Sequence, residues 1–161
     1  METEATFNSL VGDLDYPMFI VTACADGERS GCLIGFATQA SIDPARFLVG
    51  LSHENRTYRV GLKAELLAVH FVPEEAEELA ELFGGETGDE VDKFERCEWR
   101  PGPGGTPLLD RCENWFAGRV VERFDAGDHD GFLLEPIAGE SGDEEEFTFH
   151  RARRIDPGHE A

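Results

Sequence analysis

Met18-Phe-Ile-Val-Thr-Ala-Cys-Ala25 is a short apolar run rich in β-branched and aromatic side chains, closed at once by Asp26-Gly27. A run of that length and composition reads as a strand, and Asp-Gly is a hairpin turn signal. The chain then resumes an extended pattern from Ser30 to Ile42, which Asp43-Pro44 ends. Two further apolar runs, Arg46–Leu51 and Leu66–Val72, read as strands, and two longer ones follow at Glu113–Arg123 and Gly131–Ile137. A last alternating run, Glu146-Phe-Thr-Phe-His-Arg151, predicts a closing strand. Many strands joined by hairpins, with few helices, point to a mainly β fold: a β-barrel with peripheral helices.

The helical signals are fewer. Thr6–Leu14 sets Phe7, Leu10, Val11 and Leu14 on one helical face, predicting a leading helix or arm over residues 1–13. From Pro73, the residues Ala76, Leu79, Ala80 and Phe83 recur at helical spacing, the interspersed glutamates face water, and Gly84-Gly85 stops the pattern. Glu86–Gly105 reads as irregular, with one helical turn near Val91–Phe94, and 139–146 as an acidic loop. The chain shows no internal repeat and no long linker, so residues 1–161 are read as one domain with a short tail at 155–161.

Composition narrows the function. The 161 residues carry 34 acidic side chains against 14 basic ones, a net charge of −20. That field repels phosphate backbones, which argues against a nucleic-acid partner. No apolar run is long enough to cross a membrane, and the first residues lack the pattern of an export signal, so a cytoplasmic protein is expected. The spacing of Cys24, Cys32, Cys97 and Cys112 contains no C-x-x-C pair, so four reduced thiols are expected, with no structural metal. Asp125–Gly131 superficially resembles a calcium loop, but Ala126 and Ile137 stand where ligands are needed. It reads instead as a tight turn that leaves His129 at a hairpin end.

Ser52-His53-Glu54-Asn55-Arg56-Thr57 follows a strand and opens a helix, and it sets hydroxyl and amide groups beside a guanidinium. Amides at a helix start with a cation nearby can hold a phosphate. The same residues also describe an ordinary N-cap with surface arginines.

The order of the short motifs adds to this. Tyr16-Pro17 leads the first strand, then come Gly31, Ser41-Ile-Asp43-Pro44, the strand ending at Ser52 with Asn55-x-Thr57, Asp92-Lys93-Phe94, and Gly127-Asp128-His129. Over roughly Leu14–Leu134 this resembles the flavin reductase-like, FMN-binding split-barrel family. The resemblance implies a homodimer with FMN, or FAD, at the subunit interface and NADH or NADPH as co-substrate. It implies a phosphate and ribityl site at Ser52, Asn55, Arg56 and Thr57. Phe36, Ala37 and Thr38 would line the ring, and His129 would stand near the nicotinamide or flavin. It also implies that reduced flavin passes to an acceptor or partner, a flavin-dependent monooxygenase among them. A non-catalytic module binding or storing a flavin, deazaflavin or heme is the alternative on the same barrel. This sequence departs from the family at Gly31–Gln39, where Leu33, Gly35 and Phe36 replace hydroxyl side chains.

Overall fold

A computed structural model describes residues 1–156. Its strands are β1 (Phe19–Ala25), β2 (Glu28–Ile34), β3 (Ala37–Ser41), β4 (Arg46–Ser52), β5 (Leu66–Phe71), β6 (Trp99–Pro101), β7 (Pro107–Leu109), β8 (Trp115–Asp125) and β9 (His129–Glu140). The helices are α1 (Glu2–Gly12), α2 (Arg56–Gly61), α3 (Glu77–Gly85) and α4 (Phe149–Ala152). Seven strands form one sheet in the order β2-β1-β5-β8-β9-β4-β3, with every neighbouring pair antiparallel. The two edge strands, β2 and β3, are consecutive in the chain and joined only by Gly35-Phe36. That short link brings the two ends of the sheet together, so the sheet curls into a barrel with a seam between β2 and β3.

The inside of the curl is apolar: Phe19, Val21, Val49, Leu51, Leu67, Val69, Phe132 and Leu134 form its core. Alternate residues of β1 point the other way, where Met18 and Ile20 join Leu79, Ala80 and Phe83 of α3, with Phe94, Leu109 and Phe147, in a second cluster. β1 is therefore buried on both faces, which is why it reads as an unbroken apolar run. His70 is buried between the small β6–β7 pair and β1. It receives the Leu109 amide at Nε2, 3.1 Å, and meets the Ile20 carbonyl through Nδ1, 3.0 Å. The amide can only donate, so Nδ1 carries the proton and the ring is neutral.

Several expectations are corrected. The extended pattern of Ser30–Ile42 is broken at Gly35-Phe36, where the chain crosses the seam. The closing strand is reduced to the bridges Pro17↔Thr148 and Pro73↔Glu146, followed by α4. The Asp15 carboxylate accepts the His150 N–H (2.9 Å), and Tyr16 stacks on Phe149, so tertiary contacts wind that alternating segment into a turn of helix. Helix α3 starts at Glu77, because Pro73 is held in its bridge to Glu146. β9 runs on through Gly139 to Glu140, shortening the acidic loop, and the expected turn near Val91–Phe94 is a 3-10 turn at Lys93–Glu95. α1 forms, but none of its residues is buried and its apolar face stays open, with Phe7 60% and Leu10 64% exposed. The tail expected at 155–161 lies, from residue 157 on, outside the described residues.

The four cysteines are unpaired. Burial raises the thiols of Cys32, Cys97 and Cys112, the last two to about 11 and about 12.

Candidate functional site

The seam opens at one end into a cleft of about 150 Å³ lined by Cys32–Phe36, Gly50, Ser52, Asn55 and His129. β2 is an edge strand, so half of its backbone N–H and C=O groups point away from β1; Arg56 takes the Arg29 carbonyl and Lys93 the Gly31 carbonyl, which leaves Leu33 at the cleft end of the edge. Phe36, 61% exposed, leans on the His129 ring at 4.8 Å between centroids, tilted by 49°. Gly50 runs beneath them: its N–H donates to the Phe36 carbonyl at 2.7 Å, and a Cβ there would press on Phe36 Cβ at 3.2 Å. The cleft thus has an apolar wall, a backbone edge, a glycine floor and one imidazole.

His129 is held by its neighbour: Nδ1 meets Asp128 Oδ1 at 2.7 Å, and that bond holds the Asp128 carboxyl below its usual range. An ionised carboxylate only accepts, so Nδ1 carries the proton and Nε2 is left to act in the cleft. Asp130, the next residue on β9, projects to the opposite face. It is bonded to His53 Nε2 at 2.8 Å and to the Arg123 guanidinium at 3.3 Å. His53, Asp125 and Asp130 place ligand atoms within 4.8 Å of one another, but Arg123 already supplies the positive charge there.

The structure separates the other sequence-derived candidates. Ser52 and Asn55 line the cleft with Phe36 and His129. Thr57 does not: it is fully buried, its hydroxyl is bonded to Ser30 Oγ at 2.8 Å, and its amide is capped by Asn55 Oδ1 at 2.9 Å. Arg56 turns away, donating to the Arg29 carbonyl (3.0 Å) and pairing with Glu28 (3.3 Å). It lines a separate hollow of about 440 Å³ with Glu28, Asp89, Glu90 and Asp92. That hollow is larger than the cleft, but two arginines, Arg29 and Arg56, face four carboxylates in it, which disfavours a phosphate. Ala37 packs into the barrel core, and Thr38 is exposed farther along β3, its hydroxyl bonded to the Gln39 carbonyl at 3.3 Å.

Lys93 escaped the sequence-level site reading. Its ammonium is buried and donates to the carbonyls of Gly31 (3.1 Å) and Phe83 (3.0 Å), bracing β2 beneath the cleft, and burial lowers its pKa. The only signal for it was the lysine in Asp92-Lys93-Phe94.

An antiparallel sheet curled to a seam, with a cleft at one end of that seam, defines the split-barrel class of cofactor-binding domains. Within that class, the chain belongs to the flavin reductase like domain family, which it matches over residues 11–158. It is similar to a ferric-chelate reductase (NAD(P)H) of Archaeoglobus fulgidus, 26% identical over 87% of this chain and 81% of that protein. It is also similar to an FMN reductase (NADH), RutF, of Pantoea ananatis, 26% identical over 86% of this chain and 72% of that one. Among solved structures it resembles an FMN-binding protein from Thermus thermophilus at 26% identity and a TM-score of 0.74, covering 79% and 71% of the two chains. No helix among the described residues is long and apolar enough to cross a membrane.

Proposed function

We propose that this protein is an NAD(P)H-dependent flavin reductase that binds FMN, with FAD as the second choice, in the seam cleft. The observation that carries this reading is the cleft itself: it is lined by Phe36 and the Cys32–Gly35 backbone, with a glycine floor and an imidazole at its mouth. A planar tricyclic ring with a polar edge suits that lining, so the residues present fit a flavin. When bound, the flavin supplies the hydride-accepting ring.

The chain's own residues have simpler tasks. The backbone of Leu33, on the outward edge of β2, and the amides of the Gly35-Phe36 link orient the polar edge of a ring, and Phe36 excludes water from one face. Ser52 and Asn55 offer hydrogen bonds to the ribityl and phosphate end. Arg56 follows Asn55 in the chain and would have to leave its bonds to the Arg29 carbonyl and Glu28 to reach a phosphate, and Thr57 fixes the turn through its bonds to Ser30 and Asn55. His129 Nε2, aimed by the Asp128 bond, holds or delivers a proton at the mouth, or bonds an incoming nicotinamide nucleotide.

The size of the site supports a homodimer. About 150 Å³ on one chain is below the roughly 300–1,000 Å³ of common small-molecule pockets, so a second copy completes it. The open cleft suits a flavin that leaves after reduction, and a flavin-dependent monooxygenase is the class of partner proposed to receive it. Four unpaired thiols fit the reducing cytoplasm.

Anaerobic addition of NADH, and separately of NADPH, to the flavin-loaded protein tests the reading. Loss of the flavin's visible absorbance with either nucleotide is expected. A flavin that stays bound and oxidised with both would make the protein a binding module.

A further inference from the structure

β9 carries His129 and Asp130 on opposite faces, because successive side chains of a strand alternate. His129 faces the cleft. Asp130 faces a polar knot supplied by three other parts of the chain: His53 from the loop after β4, Tyr58 from α2 and Arg123 from β8. Asp130 is only 6% exposed, an unusual position for a carboxylate unless it is paired. His53 Nε2 meets Asp130 Oδ1 at 2.8 Å, Arg123 reaches Oδ2 at 3.3 Å, and the Tyr58 hydroxyl faces the same carboxylate. Those bonds, that of His53 first, hold the Asp130 carboxyl below its usual range. The Tyr58 ring in turn packs on His53 at 4.9 Å. The backbone repeats the link, since the His53 N–H donates to the Asp128 carbonyl at 3.0 Å and Ser52 is paired with His129.

We propose that Asp130 is a positioning residue for the cleft: with His53 it ties the β4–α2 loop to the end of the β8–β9 hairpin and so fixes His129 against Phe36. The functional part of this inference rests on the flavin reductase reading; the tie itself does not. The hairpin tip needs such a tie, because every residue from Val121 to Asp128 is exposed and its hold on β9 is the β8–β9 ladder with the Phe124 ring over Gly131. His129 owes its setting to Asp128 at Nδ1 and to the strand beneath it, and the strand is pinned from its far face by Asp130. Loop and hairpin, which supply Ser52, Asn55 and His129 to the cleft, are thereby held in one register.

The test uses the full chain with Asp130→Asn, His53→Ala and His53→Gln. Glutamine keeps an N–H donor near the Nε2 position without the ring. In the flavin-free protein, the His129 imidazole resonances are followed by NMR. Wild type and His53→Gln are expected to give the same single environment, whereas Asp130→Asn and His53→Ala shift or broaden it. In the flavin-loaded protein, Asp130→Asn and His53→Ala are expected to lower kcat for nicotinamide oxidation about 10-fold or more, the scale of a misplaced catalytic group. KM for the nucleotide should change less, and His53→Gln should stay within about threefold of wild type, consistent with one retained hydrogen bond. An unchanged His129 signal in folded Asp130→Asn overturns the tie, as does His53→Gln behaving like His53→Ala. If wild type fails to oxidise either nucleotide, the reductase reading falls, and the NMR comparison still decides whether the tie exists.

Discussion

His70 is fully buried and neutral, and burial is the main reason its pKa falls to about 4 from an ordinary 6.5. A group whose folded pKa is depressed in this way stabilises the fold only while it stays uncharged. The contribution is complete above pH 6.5, shrinks as pH falls toward 4, and amounts to about 3 kcal/mol across that window. Urea midpoints measured between pH 7 and 4 should fall more steeply for wild type than for His70→Gln, which cannot titrate. Equal slopes would show that the carboxylates alone set the acid sensitivity. At the cleft, His129→Asn should slow nicotinamide-dependent flavin reduction about 10-fold, the effect of a single positioned proton-transfer group. FMN affinity should move little, since the contacts proposed for the ring are Phe36 and the β2 edge. Stopped-flow traces and equilibrium fluorescence titration separate the two effects.

At the scale of elements, the β4–α2 loop is where sequence and structure differ most usefully. Asn55 and Thr57 form the N-cap their pattern foretold, but Arg56 straps the 86–92 segment to the β1–β2 turn through Gly88, Glu28 and the Arg29 carbonyl. If Arg56 also serves the flavin phosphate, Arg56→Glu should weaken FMN by about 2–4 kcal/mol, the value of two or three charge-assisted bonds, and spare riboflavin. Equal losses for both ligands would leave Arg56 a strap only. The strands were legible because β1, β4 and β5 are buried runs whose β-branched content needs no partner to be recognised. The seam at Gly35-Phe36 was not, because nothing local distinguishes a crossing between edges from a continuing strand. Phe147–Arg151 misled for the opposite reason: its alternation is real, yet the capping carboxylate lies at Asp15, 135 residues away. β6 and β7 were hidden by Arg100-Pro-Gly-Pro-Gly-Gly105, whose turn chemistry masks two short flanking strands. The cleft could be read only in part, since Asn55 and His129 carry recognisable patterns whereas Lys93 and Asp130 gain their roles from contacts across the fold.

The whole molecule combines a strong negative charge with open apolar surface on α1, at Phe36 and on the outer β8–β9 hairpin, where Phe124 and Ile137 are exposed. Patches of this kind on a folded chain mark association. A flavin-saturated dimer is expected in sedimentation velocity at micromolar concentration. It should tighten as salt rises from low to moderate levels, because −20 charges on each copy repel across the interface and are then screened. A monomer throughout, or a dimer that salt loosens, would contradict this.

One consequence of the buried thiols reaches beyond folding. A protein that releases reduced flavin into air makes peroxide beside its own sulfur atoms, and peroxide attacks the thiolate form. With pKa values of about 11 and about 12, Cys97 and Cys112 are ionised at neutral pH to only about one part in ten thousand or less. Cys32, on the wall of the cleft where the oxidant would form, is shielded in the same way by burial. Such a catalyst should survive many turnovers in oxygen without sulfenic acid forming at these three positions. Mass spectrometry after aerobic cycling is expected to find any oxidation first at Cys24, which is partly exposed near the β1–β2 turn.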